Sequence, residues 1–213
     1  MSHTTRTVYL IVTAAPPLFG IDQLISALHV DGWRVCVIAT PTAASWRDFD
    51  DLADRTGAPI RTRPGLPGQH DPLPRANAVL VAPATFNTIN KWAHGISDNL
   101  ALGLLNELLA TDVPILVVPC VKQPLRDHPA YTAGVTTLTT MQAVFMDPDQ
   151  VTTRSPDGLA TFHWEQITTT FDQLVSTHDS TELFPTSAGG EVERENGTGQ
   201  AGDAGGGAAE SVR

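Results

Sequence analysis

The stretch AVLVAPATFNTINKWAHGISDNL, residues 78–100, runs from a continuous apolar segment directly into one rich in amides and hydroxyls. Its first part predicts a buried strand over residues 78–82, and the polar residues that follow predict the start of a helix. Similar apolar runs predict strands at residues 8–13, 35–40 and 114–119. Because these runs do not alternate with polar residues, they are typical of strands buried on both faces of a parallel sheet.

Helices are expected between these strands. Apolar residues at helical spacing indicate helices over residues 20–30, 49–56 and 87–109. The alternation of strands and helices, joined by short loops, predicts an α/β fold with a doubly wound parallel sheet and right-handed crossovers. Residues 61–75 contain four prolines and two glycines, so a surface loop is predicted there.

The C-terminal part of the chain shows weaker patterns. Residues 141–146 are a candidate fifth strand, and residues 157–175 are a candidate helix with a high threonine content. Residues 185–213 have no aromatic side chain and are dominated by Gly, Ala and Glu, a composition that predicts a disordered tail. We therefore expect one domain over residues 1–184, followed by that tail.

Composition excludes several classes of function. The chain has 213 residues and a net charge of −10 with only 13 Lys and Arg, which argues against nucleic-acid and membrane-surface binding. No apolar run approaches the roughly 18 residues of a membrane span. The N-terminal apolar segment is rich in β-branched residues, which favours a first strand over a signal peptide. Cys36 and Cys120 lie in apolar runs, a pattern that predicts a cytoplasmic protein without disulfides or a metal site.

Small and hydroxyl residues follow three of the predicted strands. Because ligands bind beyond the carboxyl ends of such strands, these residues predict a phosphate-bearing ligand. The alternative is that Thr40, Thr42, Thr85 and Asn87 only cap helices. Neither a G-x-G-x-x-G nor a Walker motif is present. The candidate cofactor-binding residues are Thr13, Ala14, Thr40, Thr42, Ala84, Thr85 and Thr88.

The segment PATFNTINKWAHGISDNL, residues 83–100, resembles the signature P-A-S-A-N-T-x-x-K-x-A-x-G-I-x-D-N-L of the homo-oligomeric flavin-containing cysteine decarboxylases. That family includes lantibiotic peptidyl-cysteine decarboxylases and phosphopantothenoylcysteine decarboxylase. The match needs no gap and includes Asn87, Lys91, Gly95, Asp98 and Asn99. The wider resemblance covers about residues 8–129.

The resemblance implies a flavodoxin-like or Rossmann-like three-layer sandwich that binds FMN and assembles into trimers or dodecamers of trimers. It implies that Thr40, Thr42 and Ala43 hold the FMN phosphate. Asn87 would bind the carboxylate of a peptide or small-molecule substrate. His70, in HDPLPRAN, would be the catalytic histidine, because it matches the family pattern H-x-x-L-x-x-A-D.

Two stretches depart from the family pattern. The first turn reads TAAPPLFG, with Ala14 and Ala15 where the family has Gly–Ser and two prolines after them. The substrate-recognition motif P-x-M-N-x-x-M-W-x-[NH]-P corresponds to PCVKQPLRDHP, residues 119–129, in which Lys122 and Arg126 replace Asn and Trp. These two cations are candidate ligands for a substrate carboxylate or phosphate. The alternative is that they are ordinary surface charges.

The sequence supports one leading function and two alternatives. The leading one is FMN-dependent oxidative decarboxylation of a cysteine-derived carboxylate. A second is flavin binding without decarboxylase activity, as a carrier or regulatory subunit. Flavin prenyl transfer ranks last, because the first turn lacks the expected G-A-S-G.

Overall fold

The structure, a computed structural model, describes residues 5–65, 73–157 and 159–183. Within these ranges the central sheet has six strands in the order β3-β2-β1-β4-β5-β6, and each neighbouring pair is parallel. The strands are β1 (Thr7–Val12), β2 (Arg34–Ala39), β3 (Ile60–Arg61), β4 (Ala78–Ala84), β5 (Ile115–Pro119) and β6 (Val144–Phe145). The four strands predicted from apolar runs are confirmed to within one or two residues, and the fifth candidate, residues 141–146, is a strand only at residues 144–145.

Helices cover both faces of this sheet. They are α1 (Ile21–Val30), α2 (Pro41–Ala44), α3 (Phe49–Thr56), α4 (Phe86–Ala93), α5 (Leu100–Leu108), α6 (Gln123–Arg126), α7 (Pro129–Thr140), α8 (Pro148–Val151) and α9 (Trp164–Leu183). One apolar core joins the sheet to α1 and α9, through Leu24 and Phe171, and the other joins it to α4 and α5, through Trp92 and Leu105. The doubly wound three-layer architecture is therefore confirmed.

The single helix predicted over residues 87–109 is wrong, because the chain forms α4 and α5 with a turn between them. Gly95 adopts the left-handed conformation at φ +69°, which favours glycine and ends α4. The Ile96 amide donates to the Lys91 carbonyl across this turn at 2.9 Å. Asn99 then starts α5, since its side chain accepts a hydrogen bond from the Leu102 amide at 3.1 Å.

Two other expectations are corrected. The loop predicted over residues 61–75 begins one residue too early, because Arg61 belongs to β3. The helix predicted over residues 157–175 starts only at Trp164 and continues to Leu183. A hairpin of β7 (Thr152–Arg154) and β8 (Ala160–Phe162) occupies the residues before it. The predicted tail stays a prediction, because residues 184–213 lie outside the described ranges.

α4 and α7 pack closely against each other. Gly134 of α7 faces α4, and a Cβ atom at this position would lie 3.1 Å from the Asn90 side-chain oxygen and 3.5 Å from the Ala93 Cβ. A side chain at this position would therefore require the Asn90 side chain to shift. None of the helices described is both long and apolar enough to cross a membrane.

Candidate functional site

A cavity of about 360 Å³ lies at the carboxyl ends of β1, β2 and β4. The order of connection along the sheet reverses between β1 and β4, and α/β proteins bind ligands at such switch points. The cavity brings together seven of the predicted site residues, which come from three separate parts of the chain. These are Thr13, Ala14, Thr40, Thr42, Thr85, Asn87 and Thr88.

Four of the hydroxyl groups are engaged within the protein, and those of Thr85 and Thr88 are hydrogen-bonded to each other at 3.1 Å. Thr40 caps α2 by accepting a hydrogen bond from the Ala43 amide at 3.3 Å, and Thr85 caps α4 by accepting one from the Thr88 amide at 3.4 Å. The Thr13 hydroxyl donates to the Pro83 carbonyl at 2.7 Å and accepts from the Thr85 amide at 3.2 Å. Thr40 and Thr85 therefore cap helices, and both residues also line the cavity.

Thr42 and Asn87 are the residues best placed to face a ligand. Each is the second residue of its helix, α2 or α4, and each is exposed. Neither acts as the cap of its helix. The first amides of α4 have no partner within the helix, and the positive end of its dipole favours an anion. Hydroxyls, an amide and a helix N-terminus together suit a phosphate and a polyhydroxyl chain, the donor set that FMN requires.

The cavity also contains residues that were not predicted as site residues. Lys91 lies one turn after Asn87 on α4, and its ammonium group donates to the Asp98 carboxylate. Asn99 also donates to that carboxylate, at 2.9 Å. Hydrogen bonding from Lys91 holds the pKa of Asp98 below its usual range. The spacing of four residues between Asn87 and Lys91 could have indicated their shared helix face. Pro41 and Leu102 complete the additional lining.

The first turn forms one side of the site. Its prolines start a 3-10 helix, Pro16–Gly20, which delays α1 to Ile21. Phe19 in this turn is 59% exposed and stacks on Trp46, with ring centroids 6.3 Å apart. Arg47 holds the two loops together, since its guanidinium donates to the Leu18 carbonyl at 2.9 Å.

A protein-family model described as Flavoprotein matches residues 1–176, which is most of the chain. The chain belongs to the Flavoprotein family. This membership confirms the family resemblance and the flavin cofactor predicted from the sequence. A curated relative is the coenzyme A biosynthesis bifunctional protein CoaBC of Bacillus subtilis (strain 168), 29% identical over 151 residues. The alignment covers 68% of this chain but only 36% of that protein, so the chain spans about a third of its relative's length.

Solved structures share the fold. A mutant PPC decarboxylase in complex with pantothenoylaminoethenethiol superposes with a TM-score of 0.66 at 17% identity, covering 79% of this chain and 97% of that structure. The FMN-dependent cysteine decarboxylase SpaF superposes with a TM-score of 0.64 at 17% identity, covering 83% of this chain and 98% of that one. At these identities the likeness supports the fold alone.

Three described residues that were predicted for the site of this Flavoprotein-family chain do not line the cavity. Ala84 is the last residue of β4 and is fully buried, so it supports the cavity from behind. His70 lies outside the described ranges, and its catalytic role stays a prediction. Lys122 precedes α6 and is exposed, and Arg126 ends that helix. Neither cation is among the residues that line the cavity.

Arg126 is already paired with a carboxylate. Its two terminal nitrogens donate to the two Asp149 oxygens at 2.9 and 2.8 Å, and one of them also donates to the Gln123 side chain. The hydrogen bond from Arg126 holds the pKa of Asp149 below its usual range. This bidentate arrangement is the one in which arginine recognises carboxylates. Arg126 therefore has the chemistry predicted for it, directed at a carboxylate of its own chain.

An aromatic cluster lies between the cavity and Arg126. Phe86, next to Asn87, makes an edge contact with His128 at 5.7 Å and stacks on Tyr131 at 6.5 Å between ring centroids. His128 caps α7 by accepting from the Ala130 amide at 3.1 Å. In the part of the chain that is described, no cluster of three His, Cys, Asp or Glu residues could hold a metal ion.

Proposed function

We propose that this protein binds FMN in the cavity beyond β1, β2 and β4 and catalyses oxidative decarboxylation of a cysteine-derived carboxylate. The observation that carries the proposal is that seven residues, predicted from the ends of three separate strands, line one cavity. Membership of the Flavoprotein family supports the cofactor. The reaction class is taken from the names of solved structures that share the fold, which are decarboxylases.

The cavity residues would hold FMN by its polar groups. Thr42, the first turn of α2 and the first amides of α4 are donors for the phosphate, while Thr40 and Thr85 fix the helix starts in place. Small side chains at Ala14 and Ala43 leave room for close backbone approach. Bound FMN supplies an acceptor for the two electrons released when the substrate thiol carbon is oxidised, which eases the loss of CO₂.

Two residues are proposed to act on the substrate. Asn87 is exposed beside the start of α4 and has an amide that can donate to a carboxylate. His70 is proposed to take the thiol proton during oxidation, since a histidine changes protonation near neutral pH. Lys122 and Arg126 are proposed to recognise a substrate anion outside the cavity.

Flavin binding without decarboxylation is the second candidate. The ion pair of Arg126 with Asp149 favours it, because a paired guanidinium is not available to a substrate carboxylate. One measurement distinguishes the two functions. Incubation of the FMN-loaded protein with cysteine-terminated peptides or phosphopantothenoylcysteine, followed by mass spectrometry, should reveal a product lighter by about 46 Da, because oxidative decarboxylation removes CO₂ and transfers two hydrogens to the flavin. A product lighter by about 44 Da would mean that the reduced flavin returns those hydrogens to the product. FMN uptake without either loss would establish the carrier instead.

Assembly and location are further parts of the proposal. A homo-oligomer, either a trimer or a dodecamer of trimers, is proposed from the family resemblance, and Ile96, 43% exposed in the turn after α4, is a candidate contact residue. Light scattering on the purified chain measures the mass directly. Both cysteines, Cys36 and Cys120, are free thiols, which supports a cytoplasmic location.

A further inference from the structure

Lys91 and Asp98 are the charged residues of the cavity. Among the lining residues that are described, Lys91 is the only cation and Asp98 is the only acid. They pair with each other, so the cavity has no net charge before a ligand enters. A cavity that receives a phosphate would bind it more tightly without the acid, because a carboxylate repels the phosphate and occupies the cation.

The ion pair is not needed to hold the turn between α4 and α5. The turn has its own hydrogen bonds, from the Gly95 amide to the Trp92 carbonyl at 2.9 Å and from the Ile96 amide to the Lys91 carbonyl at 2.9 Å. Asn106 closes it from α5, donating to the Ser97 hydroxyl at 2.9 Å. The Lys91 and Asp98 side chains are 32% and 45% exposed, and ion pairs at such exposure contribute little to stability.

Lys91 has the position required to reach an anion at the start of α4. It lies four residues after Asn87, so both side chains project from one face of the helix into the cavity. Lysine is a flexible point charge that can change partners by rotating its side chain. Asp98, in contrast, is held by a second donor, since Asn99 donates to its other oxygen at 2.9 Å.

We infer that Lys91 binds the phosphate group of the flavin nucleotide and that Asp98 competes with that phosphate for Lys91, setting the affinity of the cavity for phosphorylated over unphosphorylated flavin. This inference rests on the proposed function, because it requires a flavin in this cavity. It predicts that substitution of Lys91 and substitution of Asp98 change the affinity for FMN in opposite directions. If the ion pair only stabilised the turn, both substitutions would change that affinity in the same direction.

The test compares FMN with riboflavin, which differs by the phosphate alone. Dissociation constants are measured from flavin fluorescence for the wild-type protein and for Lys91→Gln, Lys91→Arg and Asp98→Asn. We expect Lys91→Gln to weaken FMN binding by about tenfold or more, as for loss of one charge-assisted hydrogen bond, and to change riboflavin binding less than about twofold. Lys91→Arg should keep the preference for FMN.

The direction in which Asp98→Asn changes the affinity for FMN decides whether Asp98 competes with the phosphate. The substitution should strengthen FMN binding and leave riboflavin binding unchanged, because it removes a competing carboxylate while keeping the size of the side chain. The inference is overturned if Asp98→Asn weakens FMN binding, or if Lys91→Gln weakens FMN and riboflavin equally. If the wild-type protein binds neither flavin, the proposed function fails and the inference fails with it. Thermal melts of the unliganded variants identify any that do not fold. If Lys91→Gln does not fold, the affinities for FMN and riboflavin are compared between the wild-type protein, Lys91→Arg and Asp98→Asn.

Discussion

The segment after β4 and the segment after β5 leave the same edge of the sheet on neighbouring strands, yet they use their polar side chains in opposite ways. After β4, Asn87 and Lys91 point into a shared cavity. After β5, Arg126 points to Asp149 and lies outside that cavity. The first segment keeps the family signature and the second has lost it. The difference fits the proposal that the segment after β4 binds the cofactor, while the segment proposed to recognise the substrate departs from the family pattern.

The largest expected effect tests whether the chain has kept catalytic activity as well as the family signature over residues 83–100. His70→Asn should lower the rate of decarboxylation by about 10²- to 10⁴-fold, the range that general acid–base catalysis contributes, while FMN binding is kept. Single-turnover rates and flavin absorbance measure the two quantities. An unchanged rate would show that another group takes the proton.

A smaller effect is expected at Asn87, in the segment after β4. Asn87→Asp places a negative charge beside the start of α4, so FMN binding should weaken by about 10- to 100-fold through repulsion of the phosphate. The matched control is Gln23→Glu, which makes the same chemical change at an exposed position on α1 outside the cavity. Fluorescence titration with FMN should separate the variants, and equal affinities would remove Asn87 from the site.

Substitution in the turn between α4 and α5 should have a moderate effect on stability. Gly95→Ala should destabilise the fold by about 1–2 kcal/mol, because alanine is strained at φ +69°. Gly103→Ala on α5 is the control, since Gly103 is helical and a Cβ there contacts nothing within 4 Å. That substitution should stabilise by about 0.5–1 kcal/mol. Urea unfolding measures both, and the same sign for both variants would contradict the assigned role of the turn.

The smallest effect concerns the segment after β5. The pKa of Asp149 is lowered in the folded state by its hydrogen bond from Arg126, so the ion pair stabilises the fold at neutral pH, above the unfolded pKa. That stabilisation is lost as the pH falls through the lowered folded pKa. Asp149→Asn should reduce Tm slightly at pH 7 and leave it unchanged in strong acid. A larger loss in acid than at neutral pH would show that Asp149 has another role.

Much of the fold could be predicted, because a continuous run of apolar residues marks each of the longer strands. The runs around Leu10, Val37, Leu80 and Val117 are apolar on both faces, and such runs are typical of a parallel sheet that is covered on both faces. The break between α4 and α5 was harder to predict, because Ile89, Trp92 and Ile96 continue a helical spacing through it. A single glycine at positive φ decides that break, and the local apolar pattern does not report on it.

The candidate site was predictable only in part for a similar reason. Thr85 and Asn87 belong to a gapless motif, so their position could be inferred from adjacent residues. The partner of Arg126 is Asp149, which is 23 residues away in a segment without any clear pattern. Pairings of this kind depend on how loops return to the sheet, and the sequence around Arg126 carries no signal for them.

The absence of a side chain at Gly134 has a mechanical consequence. α7 begins directly after the segment that carries Arg126, and at Gly134 its backbone approaches Asn90 and Ala93 of α4 closely. Helices packed this closely have no free space for an added side chain. A substitution at Gly134 would therefore disturb the packing of α4, the helix that carries Asn87. The segments that follow β4 and β5 thus meet at a helix contact whose spacing depends on a glycine.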